Sequence, residues 1–84
     1  MITTVNHKVR KYFGLSVAEY CVLDYIYYRG QAGKIDVNHL INIFDISKAQ
    51  FWRIKKKLLT KNLIQKTKYG TEVTKEFHYK FARI

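Results

Sequence analysis

The 84-residue chain has no proline, one cysteine, one methionine, one tryptophan and four glycines. A lone Cys21 cannot close an internal disulfide, which removes the stapled secreted scaffolds. No apolar run reaches the length of a signal core or a membrane span. The cytosol follows as the expected compartment, or the host cytosol for a viral protein, with no membrane partner. Acids are also scarce: six Asp and Glu, scattered as Glu19, Asp24, Asp36, Asp45, Glu72 and Glu76, give no paired carboxylates. With no glycine-rich phosphate loop and no nucleophile beside an evident base, the chain is expected not to be an enzyme and to take no small-molecule substrate. His7, His39 and His78 stand apart with no second ligand type at useful spacing, so neither a metal nor a cofactor is expected.

What remains is 48% hydrophobic and 15% aromatic, the composition of a packed domain rather than a disordered tail. A chain this short buries only about 60 to 65% of its unfolded surface, so there is room for one core and one domain over residues 1–84.

Sixteen Lys and Arg leave a formal net charge of +10, and the excess is concentrated. Between Asp45 and Glu72 there is no acid, while Lys48, Arg53, Lys55, Lys56, Lys57, Lys61, Lys66 and Lys68 supply half of the basic residues. A solubility device would mix signs; a one-sided run is the footprint of a polyanion partner.

Ser16-Val17-Ala18-Glu19 has the form of a capping box, in which the Ser side chain and the residue three positions on satisfy each other's backbone amides. It opens a helix over about 16–29 that buries Ala18, Val22, Leu23, Tyr25 and Ile26, with Gly30 and Gly33 ending it. Ile35 is read as a brief strand and Asp36 as the N-cap of a second helix, about 37–44, carrying Val37, Leu40, Ile41 and Phe44 at helical spacing. Ser47-Lys48-Ala49-Gln50 is a second capping box, with Ile46 and Phe51 placed as a hydrophobic staple. The third helix, about 47–61, has Phe51, Ile54 and Leu58 as its apolar stripe and ends near Asn62. Alternation then replaces helical spacing. Residues from Leu63 to Tyr69, Gly70 as turn signal, and Val73, Lys75, Phe77, Tyr79 and Phe81 on one face predict a hairpin over about 63–82 with its tip around Tyr69 to Glu72. The weaker alternation of Val5, His7, Val9 and Lys11 predicts an N-terminal strand or arm, in which Lys8, Arg10 and Lys11 could touch a nucleic-acid backbone.

The stretch Leu40-Ile41-Asn42-Ile43-Phe44-Asp45-Ile46-Ser47 and the later step Asn62-Leu63-Ile64 resemble the central pattern of winged helix-turn-helix domains. That family shows glycine where Asp45 and Asn62 stand here, and both are among the residues most tolerant of left-handed backbone. Phe13-Gly14-Leu15-Ser16 with Glu19-Tyr20-Cys21-Val22-Leu23 looks like the first helix of MarR-type regulators and of the N-terminal domains of phage replisome organisers and plasmid replication initiators. The resemblance implies an α+β fold: three helices, a C-terminal two-stranded wing, and a function in sequence-specific binding of double-stranded DNA. The protein would then be a small transcriptional regulator or a phage or plasmid replication module.

In such docking the recognition helix enters the major groove. The face opposite Phe51, Ile54 and Leu58 carries Lys48, Ala49, Trp52, Arg53, Lys56 and Thr60. Arg53 suits a bidentate contact to guanine and Gln50 one to adenine; Lys48, Lys55, Lys56 and Lys57 suit phosphates. Lys66, Lys68, Tyr69 and Lys75 are placed on the wing. The aromatics Tyr20, Tyr25, Tyr27, Tyr28, Phe77, Tyr79 and Phe81 exceed what one small core hides, and the surplus suits a homodimer interface. The alternative function is a protein-interaction adaptor that uses Trp52 and these tyrosines.

Overall fold

The computed structural model describes residues 6–29, 37–67 and 70–84. Among them the order is α1 (His7–Tyr12), α2 (Val17–Arg29), α3 (Val37–Phe44), α4 (Lys48–Thr60), β1 (Ile64–Thr67), β2 (Gly70–Val73) and α5 (Lys75–Phe81). This is an α+β arrangement of five helices and one antiparallel hairpin, compatible with a winged helix, although the expected helix count was three. The expected strand at Ile35, the cap at Asp36, the helix end at Gly30 and Gly33, and the wing residues Lys68 and Tyr69 lie outside the described residues.

Three helix ends, those of α1, α3 and α4, use the same device. After α1, Leu15 N–H donates to Arg10 O (3.0 Å) and Gly14 N–H to Lys11 O (3.1 Å), with Gly14 at φ 66°. After α3, Ile46 N–H reaches Ile41 O (3.2 Å) across Asp45 at φ 51°. After α4, Leu63 N–H reaches Leu58 O (3.0 Å) across Asn62 at φ 59°. The left-handed residue lets the next amide fold back onto the last turn, satisfying carbonyls the helix leaves open. Asp45 and Asn62 therefore do what glycine does at such positions.

The capping box at Ser16 is complete: Ser16 N–H donates to Glu19 Oε1 (2.8 Å) and Glu19 N–H to Ser16 Oγ (3.2 Å). At α4, Ser47 Oγ accepts from Gln50 N–H (3.0 Å). α2 is the central element, packing on α3, α4 and β2. Val22, Leu23 and Ile26 meet Leu40, Phe51 and Leu58 in a core that also takes in Val9, Phe13, Ile64 and Phe77.

Two sequence expectations are corrected. The N-terminal strand or arm is the helix α1, because Asn6 caps it, its side chain accepting from Val9 N–H (3.2 Å), and Val9 and Phe13, four apart, both enter the core. The alternation that suggested a strand included His7 and Lys11, which are exposed.

The second correction concerns the return strand, which stops at Val73 instead of running to about 82. Thr74 caps a helix there, its Oγ1 accepting from Phe77 N–H (3.0 Å) and donating to Asn62 O (2.7 Å). Large residues at every second position also contain the four-residue spacing of a helix. Phe77 and Phe81 stand 5.5 Å apart on one side of α5, and Glu76 pairs with Lys80 at 2.9 Å. Phe77 stacks on Phe13 at 5.2 Å and so ties α5 to the α1 turn. In the hairpin, Ile64 pairs with Val73, Gln65 with Glu72, Lys66 with Thr71 and Thr67 with Gly70. The expected tip at Tyr69 to Glu72 is therefore displaced, since Gly70 and Glu72 are paired residues of β2.

Candidate nucleic-acid interface

α4 buries Phe51, Ile54 and Leu58, the expected stripe, and this fixes what its remaining faces present. Lys48, Ala49, Trp52, Arg53, Lys56 and Thr60 are all exposed. Trp52 is 47% exposed, a large apolar group left on the surface beside the basic residues. Thr60 turns its hydroxyl back to donate to Lys56 O (2.9 Å), so it lies flat on the helix.

The two margins of this face differ. On the side of α2, Gln50, Arg53 and Lys57 border a shallow cleft of about 300 Å³ whose opposite wall includes Ser16 and Glu19. Lys57 Nζ is 3.0 Å from each oxygen of Glu19, a contact that spans 38 positions in sequence and had no local signal. Burial alone would raise the Glu19 carboxyl, but the Ser16 amide and the Lys57 ammonium hold it below its ordinary value. Lys57 thus answers a carboxylate as well as edging the basic face.

On the side of the hairpin, Lys55 lies with its ammonium 5.0 Å from the centre of the Trp52 ring. Partial burial and the neighbouring Lys66 of β1 together push its pKa below the ordinary lysine value. Lys66 thus acts on Lys55 as a like charge from a different element, β1, which packs against α4.

Lys75 is not on the hairpin. It is the exposed first residue of α5, so its assignment to the wing is corrected along with the strand that carried it. Lys8 and Lys11 are exposed on α1, whereas Arg10 is committed inward, donating from Nη1 to Leu15 O (2.8 Å). Lys61, just past α4, borders a separate cleft with Tyr12 and Lys80.

Among the aromatics, Tyr20, Tyr25 and Phe77 are buried and Tyr27 is half-buried, while Tyr28, Tyr79 and Phe81 are 70%, 62% and 41% exposed. The surplus expected beyond the core is real and lies on α2 and α5. Among the described residues no cluster of His, Cys, Asp and Glu is arranged to hold a metal, and no helix is long and apolar enough to cross a membrane.

Family models, curated proteins and solved structures were compared with the chain, and none matches it.

Proposed function

We propose that this chain is a winged helix-turn-helix domain that binds double-stranded DNA, with α3 and α4 as the helix-turn-helix and the β1–β2 hairpin as the wing. One observation carries the reading. The outward face of α4 presents Lys48, Arg53, Lys56 and an exposed Trp52, and Lys66 is exposed on β1, which packs against that helix. These basic residues lie within the acid-free run of sequence between Asp45 and Glu72, and Glu19, which reaches α4 from α2, is neutralised by Lys57.

In this reading Arg53 and Gln50 face base edges from the first turns of the helix, and Lys48, Lys55, Lys56 and Lys66 hold phosphates. Trp52 packs on sugar or on a thymine methyl. The domain acts as a binding module in transcription or in replication of a mobile element, and the exposed aromatics of α2 and α5 are free for a second copy.

Binding to a mixed duplex library across a salt series tests the reading. The expected result is affinity that falls by about 0.9 log units per phosphate contact for each decade of salt, with enrichment of one motif. A palindromic motif would mark a dimer. No binding at low salt would overturn the reading and favour a protein adaptor built on Trp52 and the tyrosines.

A further inference from the structure

Away from α4, the opposite side of α2 forms a cavity of about 190 Å³ with α1 and α5. Its walls are aromatic. Tyr20, Tyr27 and Tyr28 come from α2 at helical spacing, and Phe77 and Phe81 come from α5. The rings make a corner: Tyr27 and Tyr28 are perpendicular at 5.2 Å, while Tyr27 and Phe81 stack at 5.9 Å.

Into this aromatic setting α2 inserts one carboxylate, Asp24, which lies four residues after Tyr20 and three and four before Tyr27 and Tyr28. Asp24 is half-buried, and among the described residues no ammonium, guanidinium or hydrogen-bond donor meets it. Burial pushes its pKa up from the ordinary value, as expected of a carboxylate short of solvation and partners.

A carboxylate set among ring faces is poorly served by an apolar ligand, which would desolvate the charge without answering it, and it repels an anion. Both the ring quadrupoles and the carboxylate attract a positive charge that is itself weakly hydrated. The volume is below the roughly 300 to 1,000 Å³ of pockets for drug-sized ligands, so the occupant is small.

We propose that the cavity between α1, α2 and α5 is a binding site for a small alkylammonium cation, held by Asp24 and the rings of Tyr27, Tyr28 and Phe81. The site stands on the far side of α2 from α4 and does not depend on whether α4 touches DNA.

The test is an amide NMR titration of the full chain with choline chloride, matched in ionic strength by sodium chloride. A parallel titration uses 3,3-dimethyl-1-butanol, the neutral isostere in which carbon replaces the charged nitrogen. Saturable shifts at Asp24, Tyr27, Tyr28 and Phe81 are expected with choline, and at least ten-fold weaker binding of the alcohol. Asp24→Asn, folded by its unchanged α3 and α4 signals, is expected to weaken choline at least ten-fold and to leave the alcohol unaffected.

Equal affinity for the two probes would overturn the proposal and leave an ordinary apolar cavity. Absence of saturable shifts with choline would overturn it as well. Because the comparison of probes is made on the unsubstituted chain, it decides the question even if Asp24→Asn fails to fold.

Discussion

Lys57 Nζ bridges both carboxylate oxygens of Glu19 at 3.0 Å, so the residue that completes the N-terminal cap of α2 also fastens α4 to it. The Glu19 side chain is 13% exposed and that of Lys57 46%, which limits the pair to about 0.2 to 1 kcal/mol. The cap adds about 1 kcal/mol. Urea unfolding of three variants separates them. Lys57→Met and Glu19→Gln should each lose only the charge pair, about 0.5 kcal/mol, since Gln can still accept from the Ser16 amide. Glu19→Ala should lose the pair and the acceptor of the Ser16 amide, about 1.5 kcal/mol, while Ser16 Oγ still accepts from the N–H of residue 19.

The pH dependence has a definite sign. Because the folded state holds the Glu19 carboxyl below its ordinary value, its contribution is complete above the unfolded carboxyl range and disappears as pH falls through the lower folded value. The stability difference between the unsubstituted chain and Glu19→Gln should therefore be constant around neutrality and vanish in acid. A difference that persists below that range would mean that the pair is held by packing rather than by charge.

Arg53 and Lys56 are both exposed on α4, yet they should fail differently when removed. If Arg53 reads a base, Arg53→Ala costs about 1 to 3 kcal/mol on the preferred duplex and little on random sequence. Lys56→Ala weakens all duplexes alike and lowers the salt slope by about 1. Lys57 is the poorer probe of phosphate contact, because its removal also frees Glu19. Equal losses for both variants on specific and random duplexes would remove the division between base-reading and phosphate-holding residues.

The helices α3 and α4 were legible because each has an amphipathic stripe, and the starts of α2 and α4 because Ser16 and Ser47 are strong caps. The hairpin start was legible from the change of period at Leu63. α5 was obscured by its own composition: Lys75, Phe77, Tyr79 and Phe81 fit a strand at period two, and the helical spacing of Phe77 with Phe81 and of Glu76 with Lys80 lies inside that same alternation. What tips the balance is Thr74, whose hydroxyl serves both Phe77 N–H and Asn62 O, the latter a tertiary contact. The basic face of α4 followed from the apolar stripe alone. Its margin toward α2 did not, since Glu19 and Lys57 meet only through packing.

Asp45 and Asn62 both occupy left-handed backbone where an L side chain costs roughly 1 to 2 kcal/mol unless it is locally compensated. Asp45 is exposed, and Asp45→Gly should leave stability unchanged or raise Tm by a few degrees, given about 4 to 8 °C per kcal/mol for a domain of this size. Asn62→Gly should gain less, because the Asn62 side chain also donates to Glu76. Asp45→Val should lower Tm, since a branched Cβ is least compatible with that conformation. Calorimetry of the three variants checks the order Asp45→Gly above Asn62→Gly above Asp45→Val.

Thr74 is 4% exposed and joins β2, the end of α4 and the start of α5 through one hydroxyl. Thr74→Ser keeps both bonds and should cost well under 1 kcal/mol, whereas Thr74→Val keeps the shape and loses both, at about 1 to 3 kcal/mol. The loss should be local first: hydrogen exchange at Phe77, His78 and Tyr79 should quicken before that of α2 or α4, because the cap orders α5 and not the central helices. Duplex affinity should be untouched by either variant if α5, with Lys75 at its head, lies outside the DNA-binding face. A parallel fall in affinity with Thr74→Val would instead show that the cap holds the hairpin in the position from which Lys66 reaches the duplex.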